Sequence, residues 1–81
     1  MHEYPATQQI IKIAEEACRN AGAERVIKIS LAAGRNCGFA GESIDMYFSV
    51  ISEGTLCEGA AIEIVPAESA GDFYIREIEV E

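Results

Sequence analysis

The stretch Arg25-Val26-Ile27-Lys28-Ile29-Ser30-Leu31-Ala32-Ala33 decides the fold class of this 81-residue chain. Apolar side chains at Ile27, Ile29 and Leu31 alternate with polar or small residues. This period of two is typical of a β-strand with one buried face and one more polar face. We therefore predict a strand over residues 25–33, and the neighbouring patterns define what packs on it.

Helical periodicity occurs on both sides of this strand. Pro5 suits the first turn of a helix, and Gly22 suits its C-terminal end, so we predict a helix from about Pro5 to Ala21. A second helix is predicted over 42–53, closed by Gly54. The apolar positions are Ile10, Ile13, Ala14, Ala17, Cys18 and Ala21 in the first helix, and Ile44, Tyr47, Phe48 and Ile51 in the second.

Two further strands are predicted near 60–65 and 72–80, and Pro66 ends the first of them. The apolar alternation changes phase within 72–80, so a bulge near Arg76-Glu77 is needed to keep one face buried. The resulting α-β-α-β-β order predicts an α/β fold in two layers, with two helices packed on one face of a three-stranded mixed sheet. The predicted core consists of Ile27, Ile29, Leu31, Phe48, Ile51, Ile62 and Ile64.

The charge balance excludes some classes of partner. Acidic residues outnumber basic ones 14 to 6, which gives a net charge of −8. Nucleic acids and anionic membranes are bound through clustered Lys and Arg, so we expect neither as a partner. A cation or a basic protein remains compatible with this charge. No apolar run approaches the length that spans a bilayer.

The three cysteines, Cys18, Cys37 and Cys57, are widely separated. Without a CxxC pair they do not form the pattern of a structural zinc site, and we expect none. An odd number of cysteines favours a reducing cytoplasm. Cys37 lies in a glycine-rich loop where it could act as a soft metal ligand, but a small thiol without a role is the commoner case.

The first three residues, Met1-His2-Glu3, contain the only histidine of the chain. The α-amine of Met1, the amide nitrogen of His2 and its imidazole can together chelate one metal ion. Square-planar nitrogen donation suits Ni(II) and Cu(II). The alternative is an ordinary disordered chain terminus with an incidental histidine.

Several segments together resemble the HypA/HybF family of hydrogenase and urease nickel-incorporation proteins. They are Met1-His2-Glu3, the glycine before the central loop, the turn Glu53-Gly54-Thr55-Leu56-Cys57-Glu58-Gly59-Ala60, and Ile78-Glu79-Val80-Glu81. The resemblance covers nearly the whole chain. It implies that nickel binds at the N-terminus, with His2 as the required side-chain ligand and Glu3 contributing its backbone amide. It also implies two partners, a nickel-handling GTPase and a hydrogenase large-subunit precursor.

One feature departs from that family, which carries a zinc ribbon with two CxxC pairs between its last two strands. Here only residues 66–71 join those strands. If the two strands pair antiparallel, the points where the ribbon enters and leaves are adjacent, and a short turn can replace it. We therefore expect residues 1–81 to form a single nickel-binding domain without the ribbon. The loop acid that some family members place near nickel has no clear counterpart in 35–41.

Two functions follow from these observations. The first is a cytoplasmic nickel-binding metallochaperone for the maturation of a nickel enzyme such as [NiFe]-hydrogenase. The alternative is a ribbonless interaction or regulatory module that docks to maturation partners without delivering metal. Catalysis is not expected, because the chain has one histidine and no Ser/His/Asp set.

Overall fold

Five elements follow one another along residues 3–81, the part of the chain that the computed structural model describes. They are helix α1 (Glu3–Asn20), strand β1 (Val26–Ala33), helix α2 (Gly41–Ile51), strand β2 (Ala61–Pro66) and strand β3 (Phe73–Val80). The predicted α-β-α-β-β order is confirmed, and each boundary lies within two residues of the predicted one.

The three strands form a mixed sheet in the order β2-β1-β3. β1 runs parallel to β2 and antiparallel to β3. The suggestion that the last two strands pair with each other is wrong, because they lie on opposite sides of β1. Both Pro66, at the end of β2, and Phe73, at the start of β3, align with Ala33. The connection between them therefore needs only to cross the end of one strand.

That connection, residues 67–72, passes directly over Gly34. The amide of Gly34 donates to the carbonyl of Asp72 at 2.8 Å, and the amide of Asn36 donates to the carbonyl of Ala70 at 2.7 Å. A Cβ atom placed on Gly34 would lie 2.2 Å from the Ala70 carbonyl oxygen. Only glycine allows the two backbones to approach this closely.

Both helices pack on one face of the sheet and share a single core with it. Among the predicted core residues, Ile29, Leu31 and Phe48 are buried, while Ile51 and Ile62 are partly buried against them. The buried cluster consists of Ile10, Ile11, Ala14, Cys18, Val26, Ile29, Leu31, Ile44, Phe48 and Cys57. The prediction of a two-layer fold is therefore confirmed.

The prediction that Ile27 and Ile64 belong to the core is wrong, for a different reason in each case. The pairing of β1 with β3 shifts register between Val26 and Lys28, which makes Ile27 an extra residue. Val26, 1 % exposed, takes its place in the core. Ile64 pairs with Leu31 in the sheet. It lies on an outer strand, however, where it is 38 % exposed.

The bulge predicted near Arg76-Glu77 is present. Ser30 pairs with Glu77 whereas Leu31 pairs with Ile75, so Arg76 is the extra residue of β3. On either side of it Phe73, Ile75, Ile78 and Val80 are all partly buried and pack against the core. The bulge thus restores one buried face along the whole strand.

The sheet face away from the helices carries charged side chains. Lys28 lies between Glu63 at 3.5 Å and Glu79 at 3.8 Å. The Ser30 hydroxyl donates to the carboxylate of Glu63. This hydrogen bond, with the nearby Lys28 ammonium, holds the pKa of Glu63 below its usual range. Within residues 3–81, neither helix combines the length and apolarity needed to cross a membrane.

Candidate metal centre

The predicted nickel ligands are Met1, His2 and Glu3, and only Glu3 lies among the described residues. No group of three or more His, Cys, Asp or Glu side chains elsewhere in residues 3–81 is arranged to hold a metal ion. What the structure describes is therefore the base of the candidate site, where the chain enters α1.

Glu3 is fixed to the fold through both its side chain and its backbone. Its side-chain oxygen Oε2 accepts a hydrogen bond from the amide of Ala40 at 3.0 Å. Its carbonyl accepts one from the hydroxyl of Thr7 at 2.6 Å. Glu3 is only 7 % exposed, and Thr7 is fully buried. A buried carboxylate must be compensated by hydrogen bonds, and Ala40 provides one of them.

Ala40 is the residue at which the chain enters α2. Its backbone is extended (φ −94°, ψ 119°), and it provides no side-chain hydrogen bond to the first turn of the helix. A carboxylate at this position also faces the partial positive charge of the helix N-terminus, which favours it. Glu3 of α1 thus satisfies the amide of the N-cap residue of α2, the donor that the Glu or Gln of a capping box satisfies in other helices.

A second contact joins the start of α1 to the middle of α2. The rings of Tyr4 and Tyr47 meet edge to face, with centroids 5.4 Å apart and planes at 86°. This geometry is favourable for aromatic pairs. Tyr4 remains 43 % exposed, so the contact lies at the surface. The start of α1 is therefore attached to α2 through a carboxylate hydrogen bond and an aromatic pair.

The Glu3–Ala40 contact also brings the loop of residues 34–40 to the start of the chain. Cys37 in this loop is partly buried, and its thiol donates to the carbonyl of Phe39 at 3.6 Å. Sequence reasoning did not predict the Glu3–Ala40 contact. The sequence carries no local signal for it, because the two residues are 37 positions apart.

The other end of α1 is anchored to the turn after α2. Oε2 of Glu15 accepts a hydrogen bond from the amide of Leu56 at 3.1 Å. Beside it, Cys57 is fully buried. Burial is the main cause that raises the pKa of the Cys57 thiol to about 11, with further contributions from Glu15 and Cys18. Such a thiol stays protonated and is a packing residue rather than a metal ligand.

Solved structures of other proteins share this fold. The solution structure of the Ni metallochaperone HypA from Helicobacter pylori has a TM-score of 0.88 over 99 % of this chain and 97 % of that one, at 16 % identity. A second solution structure of a HypA protein has a TM-score of 0.84 over 100 % of this chain and 97 % of the other, at 14 % identity. These likenesses show that the chain shares the two-layer α/β fold of these two proteins.

Sequence comparison then identifies the family. The family model described as "Hydrogenase/urease nickel incorporation, metallochaperone, hypA" matches residues 1–79. The chain is 34 % identical to the hydrogenase maturation factor HypA of Rhodobacter capsulatus, over all of this chain and 74 % of that protein. The corresponding factor of Dechloromonas aromatica is 31 % identical, over 88 % of this chain and 63 % of its own length. The chain belongs to the HypA family.

Proposed function

We propose that this protein is a nickel carrier that binds Ni(II) at Met1-His2-Glu3 as cargo for a nickel enzyme such as [NiFe]-hydrogenase. The observation that carries the proposal is the anchoring of Glu3. The hydrogen bonds from Ala40 and Thr7 hold the base of this tripeptide against the folded domain. The family match includes these residues, since it begins at residue 1.

The proposed donors are four nitrogen atoms: the α-amine of Met1, the amide and imidazole of His2, and the amide of Glu3. The structure supports a backbone role for Glu3, because its side-chain oxygen Oε2 is engaged by Ala40. Four nitrogen donors suit a square-planar Ni(II) ion. Cu(II) should bind the same donors more strongly, as the Irving–Williams order requires. Selectivity in the cell would then depend on copper scarcity and on the partner.

Calorimetric titration of untagged protein with Ni(II) tests this proposal. We expect one ion per chain, and we expect His2→Ala to abolish stoichiometric binding while the circular dichroism spectrum is unchanged. Glu16→Ala, on the exposed face of α1, is the matched control and should bind as the parent does. An N-terminal extension should weaken binding by blocking the amine. If His2→Ala binds nickel as tightly as the parent, the site is elsewhere.

We also propose that residues 1–81 form one domain without structural zinc. The six residues 67–72 stand where the family resemblance places a zinc ribbon, and they are tied to Gly34 and Asn36 by backbone hydrogen bonds. A fold closed in this way should not depend on metal. A strong chelator should leave the circular dichroism spectrum and the melting temperature unchanged. Unfolding on chelation would reveal a zinc site, for example one built from Cys37 of two chains.

The proposed partners are a nickel-handling GTPase and the hydrogenase large-subunit precursor. In this role the protein is a carrier rather than an enzyme, acting in the cytoplasm, and its three free cysteines are consistent with that compartment. The net charge of −8 disfavours nucleic acid and anionic membranes as partners. Pull-down by the purified GTPase, with and without nickel, tests the assignment, and absence of binding in both conditions would contradict it.

The second candidate function is a docking module that does not deliver metal. The short 67–72 connection favours it, because whatever the ribbon contributes to metal transfer in the family is missing here. The docking-module hypothesis predicts that His2→Ala binds the partner as the parent does and leaves enzyme maturation unchanged. The nickel-carrier hypothesis predicts that enzyme maturation is lost in the same variant.

A further inference from the structure

We propose that the Glu3 side chain is a positioning residue that couples the nickel site to the start of helix α2. The inference rests on the proposed nickel function and deepens it. It concerns the carboxylate, which is distinct from the Glu3 amide proposed as a donor. Nickel bound at the N-terminus would then slow local opening at the start of α2. The contact at the start of α2 would in turn raise the affinity for nickel.

Glu3 is held on the fold at two of its groups. The Glu3 backbone and side chain belong to one residue, and Oε2 of that side chain is held 3.0 Å from the Ala40 amide. The carbonyl of the same residue is held by the buried Thr7 hydroxyl. With both groups fixed, the Cα atom of Glu3 and the amide nitrogen bonded to it are held in place on the fold. A chelate that includes this peptide nitrogen is thereby preorganised.

The donor of this hydrogen bond lies at the start of α2. Ala40 precedes α2 and offers no capping side chain to the helix. The carboxylate of Glu3 therefore contributes to holding the loop of residues 34–40 and the first turn of α2. If metal binding restricts Glu3, it also restricts Ala40. By thermodynamic linkage, loss of the contact must weaken metal binding to the same degree that metal binding strengthens the contact.

The chain contains a matched control for this contact. Glu15, also on α1, accepts a hydrogen bond from the amide of Leu56 at 3.1 Å. Both contacts join an α1 carboxylate to a backbone amide beside α2, one before the helix and one after it. Glu15 lies far along α1 from the chain terminus. Glu15→Ala therefore removes a similar bond without touching the metal site.

The experiment compares nickel affinity by calorimetry in the untagged parent and in Glu3→Ala, Glu3→Gln and Glu15→Ala. Loss of an outer contact to a metal ligand typically weakens affinity by roughly 10- to 100-fold, which we expect for Glu3→Ala. Glu3→Gln keeps an acceptor oxygen for the Ala40 amide and should retain most of the affinity. Glu15→Ala should bind nickel as the parent does.

Amide hydrogen exchange supplies a second readout that a purely structural role would not change. In the parent, nickel should slow exchange at Ala40 and in the first turn of α2. In Glu3→Ala, nickel should leave these amides unaffected. Equal nickel affinity in Glu3→Ala and parent, or equal weakening by Glu15→Ala, would overturn the coupling and leave the nickel proposal intact. If the parent itself binds no nickel, the function proposed above fails.

Discussion

The two ends of helix α1 are attached to the rest of the molecule in different ways. Near Glu15, the turn after α2 is held by several overlapping interactions: the Leu56 amide binds Glu15, the Leu56 carbonyl accepts from Val26, and Cys57 is fully buried. Near Glu3, the Ala40 hydrogen bond reaches the entry to α2, and the surface pair Tyr4–Tyr47 reaches the middle of that helix.

The Glu15 end of α1 therefore contributes mainly to stability, whereas the Glu3 end can change when a ligand binds. Loss of one contact in an overlapping network leaves the others in place, so the Glu15 end behaves as part of the core. At the Glu3 end, the hydrogen bond from the Ala40 amide joins the candidate metal ligand directly to a helix start. Regions that change on ligand binding are drawn from the less stable parts of a structure. Substitutions in the core and at each end can test whether the two ends differ in stability as their contacts indicate.

The largest expected effect comes from the core that both ends share. Phe48 on α2 is 2 % exposed, so Phe48→Ala should lower the free energy of unfolding by about 3–5 kcal/mol. Urea denaturation measures this value. Val50→Ala is the control on the same helix, since Val50 is 63 % exposed, and it should change stability very little. Equal effects of the two substitutions would mean that α2 does not pack as described.

The next effect is confined to the Glu15 end and depends on pH. The Cys57 thiol has its pKa raised from 9.0 to about 11 in the folded protein, mainly by burial. Between these values the unfolded chain releases a proton that the folded chain retains, so stability must fall as pH rises. The full loss is roughly 2–3 kcal/mol and is complete above the folded pKa.

Denaturation curves between pH 8 and about 11 for the parent and for Cys57→Ala isolate this contribution. Other groups titrate in the same range in both proteins, so the informative quantity is the difference between them. The parent should lose more stability than the variant as pH rises. Parallel curves would show that Cys57 is not buried as described.

A third prediction concerns the loop that leads to Ala40. This loop starts at Gly34, where a Cβ atom would lie 2.2 Å from the Ala70 carbonyl oxygen. Gly34→Ala forces two backbone segments apart and should cost about 1–3 kcal/mol by thermal or urea denaturation. Gly71→Ala, in the same connection but with open space around its Cβ, should be nearly neutral. A stable Gly34→Ala protein would mean that residues 67–72 do not cross over Gly34.

The sequence predicted most of this architecture because the relevant signals are local. The alternation in β1, the helical stripes and the change of phase at Arg76 are all visible in short windows. The structural features that the sequence could not show depend on pairing between distant segments. The extra residue Ile27 is defined only by the register with β3, and the placement of β2 beside β1 is a property of the sheet.

The candidate site also has one part that local sequence indicates and one part that depends on a distant segment. The sequence alone indicated the Met1-His2-Glu3 chelate, because its donors are consecutive. The contact from Glu3 to Ala40 joins residues 37 positions apart, and no local pattern predicts which amide a carboxylate will reach. The alanine before α2 shows only that no side chain at that position caps the helix, and it does not point to Glu3.

The smallest effect on global stability is also the most direct test of the contrast between the two ends of α1. Glu3→Ala and Glu15→Ala each remove one hydrogen bond to a backbone amide, so each should lower the free energy of unfolding by about 1 kcal/mol. Local opening should differ. Without Glu3, exchange should accelerate at Ser43 and Ile44, whose amides donate to the Ala40 carbonyl.

Without Glu15, the turn at Cys57 keeps its hydrogen bond to the Thr55 hydroxyl, and the Leu56 carbonyl still accepts from Val26, so exchange there should rise less. Metal-free protein is used, so the measurement depends on the fold alone. Because exchange reports local opening free energies residue by residue, it can separate two variants of equal global stability. Equal acceleration of exchange beside the two substitutions would mean that the entry to α2 is held as firmly as the turn after it. The distinction between a structural and a responsive end of α1 would then be wrong.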